Sequence, residues 1–146
     1  MRQVAGHALW LGHAGDLRKP QTVLSAGIEA VVELADSEQL ALLPRELVRC
    51  RFPLSDGGDN PSWLLRLASE SVATLLRASV PTLVCCASGL SRSVCVAAGG
   101  LTLAEERPFD ESLALVIGSG PADVSPAFLM QLRAALGVRH PSSTQS

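Results

Sequence analysis

The sequence predicts an α/β fold: a single domain with a central, mostly parallel sheet flanked by helices. The chain has 146 residues, which is the size of one domain. Hydrophobic residues make up 47% of it and charged residues 18%, so one buried core can form. Short apolar runs of strand length alternate with segments of helical periodicity, and this alternation is typical of a sheet whose strands are connected through helices.

Proline and glycine mark the element boundaries in the first half of the chain. Pro20 suits the first turn of a helix, and Gly27 suits its end. Pro44 likewise closes a short helical segment, and alternating apolar and polar residues after it indicate a partly exposed strand. The elements expected here are strands at 7–11, 28–34 and 47–52 and helices at 20–26 and 37–43.

The second half begins with a loop and is mainly helical. The densest cluster of turn-forming residues covers 53–61, which predicts a loop that is mobile if its two glycines are unrestrained. Ser125 is a suitable N-cap for the last helix, and Pro126 suits its first position. The other expected elements are helices at 62–79, 92–104, 110–117 and 126–136, a strand at 82–86 and a flexible tail at 139–146.

The helix predicted from residue 62 has apolar residues at helical spacing, which indicates one buried face. We expect both tryptophans of the chain to be core residues. The predicted apolar stripe consists of Trp63, Leu64, Leu67, Val72, Leu75 and Leu76, and the second tryptophan is Trp10.

Composition and charge exclude several classes of protein. The formal net charge of -2 removes the broad cationic surface that nucleic-acid binding normally requires, so we expect no nucleic-acid partner. The 4 cysteines have neither the pairing of a disulfide scaffold nor the spacing of metal ligands, so we expect reduced thiols and no metal site. No segment has the length of a signal-peptide core or a membrane span, so we expect a cytoplasmic protein without a membrane partner.

One segment, 86–93, stands out for its chemistry. It reads Cys-Ala-Ser-Gly-Leu-Ser-Arg-Ser and joins a predicted strand to a predicted helix. A cysteine and an arginine at this spacing would occur about 0.3 times by chance in a chain of this composition. Adding the central glycine and the serine after the arginine lowers that expectation to about 0.003, so chance is a poor explanation.

The spacing in this segment suits an anion-binding loop. Five residues between a strand and a helix can curl so that backbone N–H groups converge on one point, above the positive end of the helix. The thiol of Cys86 would face these donors, which stabilise the thiolate as a nucleophile. Arg92 can bind two phosphate oxygens through its guanidinium, and Ser93 can donate a hydrogen bond to the sulfur. The predicted phosphate-binding residues are Ala87, Ser88, Gly89, Leu90, Ser91 and Arg92.

The segment resembles the phosphate-binding loop of the dual-specificity branch of the cysteine-dependent protein tyrosine phosphatases, which reads His-Cys-x-x-Gly-x-Ser-Arg-Ser. Weaker similarity at 9–12, 26–28 and 128–132 extends the resemblance over about residues 7–137. It implies that family's fold over residues 1–138. It also implies a hydrolase that cleaves phosphate monoesters through a phosphocysteine intermediate and needs no cofactor. The matched residues are Cys86, Gly89, Ser91, Arg92 and Ser93.

The resemblance also implies a catalytic aspartate, on a mobile loop about 30 residues before the nucleophile, that protonates the leaving oxygen. Asp56 lies 30 residues before Cys86 and is the first candidate. Asp59, 27 residues before Cys86, is the reserve candidate. Both have an ordinary structural interpretation, because Asp56 before two glycines suits a turn and Asp59 suits the N-cap of the next helix.

Two positions depart from the family's pattern. Cys85 stands where the family has a histidine that helps to hold the loop, which predicts reduced activity or a shifted pH profile. Glu33 stands where the family's second strand usually carries an asparagine that braces the loop, so this bracing must differ. Neither departure affects the thiol, the guanidinium or the acid.

Three functions are open at this point, beside the interpretation of Cys86 as an ordinary buried thiol. The first is hydrolysis of phosphotyrosine and phosphoserine/threonine in proteins, since the loop carries no lysine of the kind that recognises inositol phospholipids. Only 3% of residues are aromatic, which disfavours a deep phosphotyrosine pocket. The second is a catalytically weak phosphate-binding module in which Cys85 has replaced the histidine. The third is thiol redox chemistry between Cys85 and Cys86, whose disulfide would be strained and reducible.

Overall fold

A computed structural model describes residues 1–36 and 41–137 of the chain. At its centre is a five-stranded sheet with the strand order β1-β2-β5-β3-β4. The short edge strand β1 is antiparallel to β2, and the other neighbours are parallel, which confirms the predicted mostly parallel sheet. The strands are β1 (Arg2–Gln3), β2 (Leu9–His13), β3 (Ala30–Glu33), β4 (Val48–Arg51) and β5 (Thr82–Cys86).

Helices cover both faces of this sheet. Because side chains alternate along β5, Val84 and Cys86 face one core and Leu83 and Cys85 face the other. The larger core lies under α2 to α5, and the smaller core lies under α1 and a 3-10 helix. The helices are α1 (Pro20–Ser25), α2 (Ser62–Arg77), α3 (Arg92–Glu105), α4 (Phe109–Ile117) and α5 (Pro126–Ala135), and the 3-10 helix is Ala14–Arg18.

The helix α3 is the central helix of the larger core, and its small residues let α2 approach closely. A side chain on Gly100 would come within 2.3 Å of Val72, and one on Gly99 would come within 2.8 Å of Ser69. The first ten residues of α3 are all buried. This packing fixes the start of α3, and with it the loop that precedes Arg92.

Several expectations about single elements need correction. The strand β2 extends to His13, two residues beyond its predicted end, because Gly12 and His13 pair with the last two residues of β5. Neither β1 nor the 3-10 helix was expected from the sequence. Trp63 is 66% exposed and Leu67 is 45% exposed, so the apolar face of α2 is rotated relative to the predicted stripe. The residues of α2 that are buried are Leu65, Ala68, Ser69, Val72 and Ala73.

Two expectations fall partly or wholly outside the described residues. Residues 37–40 of the helix expected over 37–43 lie outside them, and 41–43 are not helical. The tail expected at 139–146 also lies outside. Within the described part of the chain, no helix is long and apolar enough to cross a membrane.

Candidate active site

The loop between β5 and α3 brings the predicted phosphate-binding residues around one cysteine. Cys86 ends β5 and is 1% exposed, and Arg92 begins α3. The backbone N–H of Gly89 donates to Sγ of Cys86 at 3.2 Å, and Oγ of Ser93 lies 3.4 Å from the same sulfur. The thiol is therefore already surrounded by hydrogen-bonding groups that can stabilise a thiolate.

Gly89 has a conformation and a position that only glycine suits. Its φ of +76° lies in the left-handed region, and a Cβ there would stand 2.8 Å from the backbone oxygen of Gly12. The loop thus curls tightly against the end of β2. This contact keeps the Gly89 N–H directed at the sulfur of Cys86.

One nitrogen of the Arg92 guanidinium forms two hydrogen bonds, and another has no hydrogen-bond partner among the described residues. Its Nη1 donates to the backbone oxygen of Leu54 at 2.7 Å and to Oδ1 of Asp36 at 3.2 Å. Nε is buried and has no hydrogen-bond partner among the described residues. A buried donor without a partner is costly, so an oxyanion in the adjacent loop would satisfy a group that the protein leaves open.

Asp56 is attached to the phosphate-binding loop through its carboxylate. Oγ of Ser91 donates to Oδ1 of Asp56 at 2.7 Å and accepts a hydrogen bond from the backbone N–H of Ser125 at 2.9 Å. Ser125 in turn donates from Oγ to the backbone oxygen of Asp56 at 2.9 Å and caps α5 as the sequence predicts. Sequence reasoning assigned Ser91 only as a phosphate-binding residue and missed its hydrogen bond to Asp56.

The loop of residues 53–61 is restrained at its base. Asn60 accepts from the backbone N–H of Ser55 and donates to its carbonyl, both at 2.7 Å. Asn60 also donates from its side chain to Oε1 of Gln131 on α5 at 3.0 Å. These contacts join the two ends of the segment 55–60 to each other and to α5, and they hold Asp56 close to the phosphate-binding loop.

Asp59 lies on the same loop but away from these contacts. It is exposed and has a φ of +60°, a conformation in which aspartate is more common than most residues. The N-cap of α2 is Pro61, without a side-chain cap, so the interpretation of Asp59 as the cap is wrong. Of the two candidate acids, Asp56 is the one whose carboxylate is bonded to the segment 86–93 among the described residues.

The two residues that depart from the family's pattern lie together. Glu33 is 6% exposed and forms a two-pronged ion pair with Arg49 of β4, in which Nη2 lies 3.0 Å from Oε1. Glu33 therefore joins β3 to β4, and it pairs in register with Cys85 of β5. Burial raises the pKa of the Cys85 thiol far above its usual value, and the charge of Glu33 raises it further.

Cys95 on α3 is also held in its neutral form. Burial, followed by the charge of Asp56, raises the pKa of Cys95 to about 12. Cys85 points to the opposite face of the sheet from Cys86. Both neighbouring thiols are therefore poor partners for a disulfide with Cys86, which weakens the redox interpretation.

Comparison with known proteins places this arrangement in a recognised fold. No protein-family model matches the sequence, and no curated protein matches it significantly. Among solved structures, human DUSP28 is similar with a TM-score of 0.82 and 22% identity, over 94% of this chain and 96% of that chain. A mouse putative dual specificity phosphatase, complexed with zinc tungstate, has a TM-score of 0.81 and 23% identity over 93% of this chain and 86% of its own.

A third similar structure is the human tyrosine phosphatase-like serine/threonine/tyrosine-interacting protein. Its TM-score is 0.75 at 16% identity, over 92% of this chain and 93% of that chain. These identities are low while the coverage is nearly complete, so the likeness concerns the fold. The chain has the fold of the dual-specificity phosphatases.

Proposed function

We propose that the protein is a cysteine-dependent phosphatase that hydrolyses phosphotyrosine and phosphoserine/threonine in proteins. The observation that carries this proposal is the pairing of a buried, hydrogen-bonded Cys86 thiol with a buried Arg92 Nε that has no partner among the described residues. A phosphate bound between them would accept a hydrogen bond from Nε of Arg92 and place its phosphorus opposite the sulfur of Cys86.

In the first step, the thiolate sulfur of Cys86 attacks phosphorus, and the bond between phosphorus and the ester oxygen breaks. Asp56 transfers a proton to that oxygen, so the leaving group departs as a neutral alcohol or phenol. Oδ1 of Asp56 accepts from Ser91. This leaves Oδ2 to carry the proton. Arg92 and the backbone N–H groups of 87–92 bind the three remaining phosphoryl oxygens.

In the second step, water attacks the phosphocysteine and the bond between sulfur and phosphorus breaks. The carboxylate of Asp56 accepts a proton from that water, which restores its acid form. Ser93, 3.4 Å from the sulfur, donates a hydrogen bond to the leaving thiolate. The products are inorganic phosphate and the free thiolate, so the cycle needs no metal or cofactor.

The loop favours a protein substrate over an inositol phospholipid. Its side chains Ala87, Ser88, Leu90 and Ser91 carry no positive charge that would bind additional phosphate groups. Aspartates also lie at this edge of the sheet, with Asp36 at Arg92 and Asp56 at Ser91. The carboxylate of Asp36 would repel the additional phosphates of such a ligand.

A second candidate function is phosphate recognition without efficient turnover. Two observations favour it. Cys85 occupies the position of the family's histidine, and one similar structure is named phosphatase-like and serine/threonine/tyrosine-interacting. In this alternative the loop binds a phosphorylated residue, and hydrolysis of the phosphocysteine is slow or absent.

Replacing Asp56 with asparagine tests the assignment of the acid, with Asp59→Asn as the matched control. For phenyl phosphate, whose leaving group needs a proton, Asp56→Asn should lower kcat/KM, which reports the first step, about a hundredfold or more. For p-nitrophenyl phosphate, whose leaving group is stable as an anion, the loss should be much smaller. Asp59→Asn should leave both rates near those of the wild type.

The measurement is kcat and KM for both esters with reduced protein. Equal losses of kcat/KM for the two esters in Asp56→Asn, or a larger loss in Asp59→Asn, would contradict the role of Asp56 as the acid. If the wild type hydrolyses neither ester but binds vanadate or tungstate, the recognition module is the correct function.

A further inference from the structure

Arg2, on the edge strand β1, is bonded directly to the phosphate-binding loop. Its Nη2 donates to the backbone oxygen of Gly89 at 3.1 Å and to that of Pro121 at 2.8 Å. Its Nε donates to Oγ of Ser119 at 3.3 Å. One guanidinium thus joins the first strand, the segment 86–93 and the segment that follows α4.

The surroundings of Arg2 are shaped to hold it. A Cβ on Gly120 would stand 2.4 Å from Cδ of Arg2, so this glycine leaves the space that the arginine stem fills. The side chain is part-buried, and the strand that carries it pairs Arg2 with Leu11 of β2. The position of the guanidinium is therefore set by the backbone of three separate segments.

Arg2 also interacts with Cys86 through its charge. Burial lowers the pKa of Arg2, and the negative charge of the Cys86 thiolate opposes this effect. A positive charge beside a cysteine sulfur favours its thiolate form.

We propose that Arg2 is a positioning residue that orients the phosphate-binding loop through the Gly89 carbonyl and stabilises the thiolate of Cys86. Since the Gly89 carbonyl is held outward by Arg2, the N–H of the same residue can point inward at the sulfur. Arg2 also supplies a positive charge near the nucleophile in a protein in which Cys85 has replaced the family's histidine. The proposal builds on the proposed function, but its test does not require turnover.

Other titratable and charged groups lie around Cys86 and are the same in every variant of the test. They are Arg92 from α3 with its partner Asp36, Asp56 from the loop before α2, Cys85 with Glu33 on the opposite face of the sheet, and Cys95 on α3. A change in the titration after substitution of Arg2 therefore reports on Arg2 itself.

The experiment compares Arg2→Gln, Arg2→Lys and the wild type in the rate of alkylation of Cys86 by iodoacetamide as a function of pH. The peptide that carries Cys86 is followed by mass spectrometry, with Cys86→Ser as the blank. Glutamine keeps a donor for the Gly89 carbonyl and removes the charge, whereas lysine keeps the charge. Arg66→Gln is the matched control, because Arg66 on α2 also donates to a backbone carbonyl, that of Ala135 at 2.9 Å.

We expect the midpoint of the alkylation profile to move up by about half a pH unit or more in Arg2→Gln. The midpoint in Arg2→Lys and in Arg66→Gln should stay near that of the wild type. A profile of Arg2→Gln that coincides with the wild type would overturn the proposal, and equal shifts in Arg2→Gln and Arg2→Lys would overturn the role of the Arg2 charge, because lysine keeps the charge that glutamine removes. A wild type that hydrolyses no phosphate ester would refute the proposed function, while the alkylation profiles would still decide the role of Arg2.

Discussion

Replacing Arg92 with lysine is expected to lower kcat/KM about a thousandfold. The guanidinium of arginine has several N–H groups in one plane. In this protein Nη1 of Arg92 already donates to the backbone oxygen of Leu54 and to Asp36. The buried Nε remains for the phosphoryl oxygens. Lysine has one ammonium group, which can form the ion pair with Asp36 or contact the phosphate, but not both in this geometry.

Arg133→Lys is the control for this prediction. Arg133 on α5 is 8% exposed, as is Arg92, and it also forms an ion pair, with Asp110 at 2.6 Å. Both variants remove a buried guanidinium, so both should lose some thermal stability. Only Arg92→Lys should lose activity by orders of magnitude, measured as kcat/KM for p-nitrophenyl phosphate. Comparable activity in the two variants would contradict the role of Arg92.

Replacing Gly89 with alanine is expected to abolish activity and to lower the free energy of unfolding by about 3 kcal/mol. The added Cβ costs stability in two ways. The left-handed conformation disfavours any side chain, and the Cβ would stand 2.8 Å from the backbone oxygen of Gly12. The loop must move away from β2, and its N–H groups then no longer converge on Cys86.

Gly27→Ala separates these two costs. Gly27 has a similar φ of +82°, but nothing lies within 4 Å of the position of its Cβ. Its substitution should therefore cost only the conformational part, about 1 kcal/mol, and leave activity unchanged. The measurements are urea unfolding and hydrolysis of p-nitrophenyl phosphate. Equal destabilisation by the two substitutions would contradict the contact between Gly89 and β2.

Local sequence signals were sufficient to predict the elements whose boundaries depend only on residues within them or next to them. The segment 86–93, the buried α3 and the cap of α5 by Ser125 could all be predicted, since a short motif or a capping residue defines each of them. The parallel direction of most neighbouring strands also follows from alternating strands and helices, because parallel strands need crossover connections.

Contacts between distant parts of the chain could not be predicted in this way. Ser91 bonds Asp56 across 35 positions, and Arg2 bonds Gly89 across 87. Nothing in the local pattern of either residue indicates its partner. Trp63 illustrates the same limit, because its exposure depends on which face of α2 packs on α3 and α5, which helical spacing alone does not determine.

The central claim, that Cys86 is the nucleophile of a phosphatase, is tested most directly by hydrolysis of p-nitrophenyl phosphate by freshly reduced protein without added metal. The wild type and Cys86→Ser are compared, and vanadate is added as a phosphate mimic. Vanadate should block turnover by the wild type, and turnover should be at least about ten-thousandfold lower in Cys86→Ser. A wild type that is no faster than Cys86→Ser would contradict the role of Cys86 as the nucleophile.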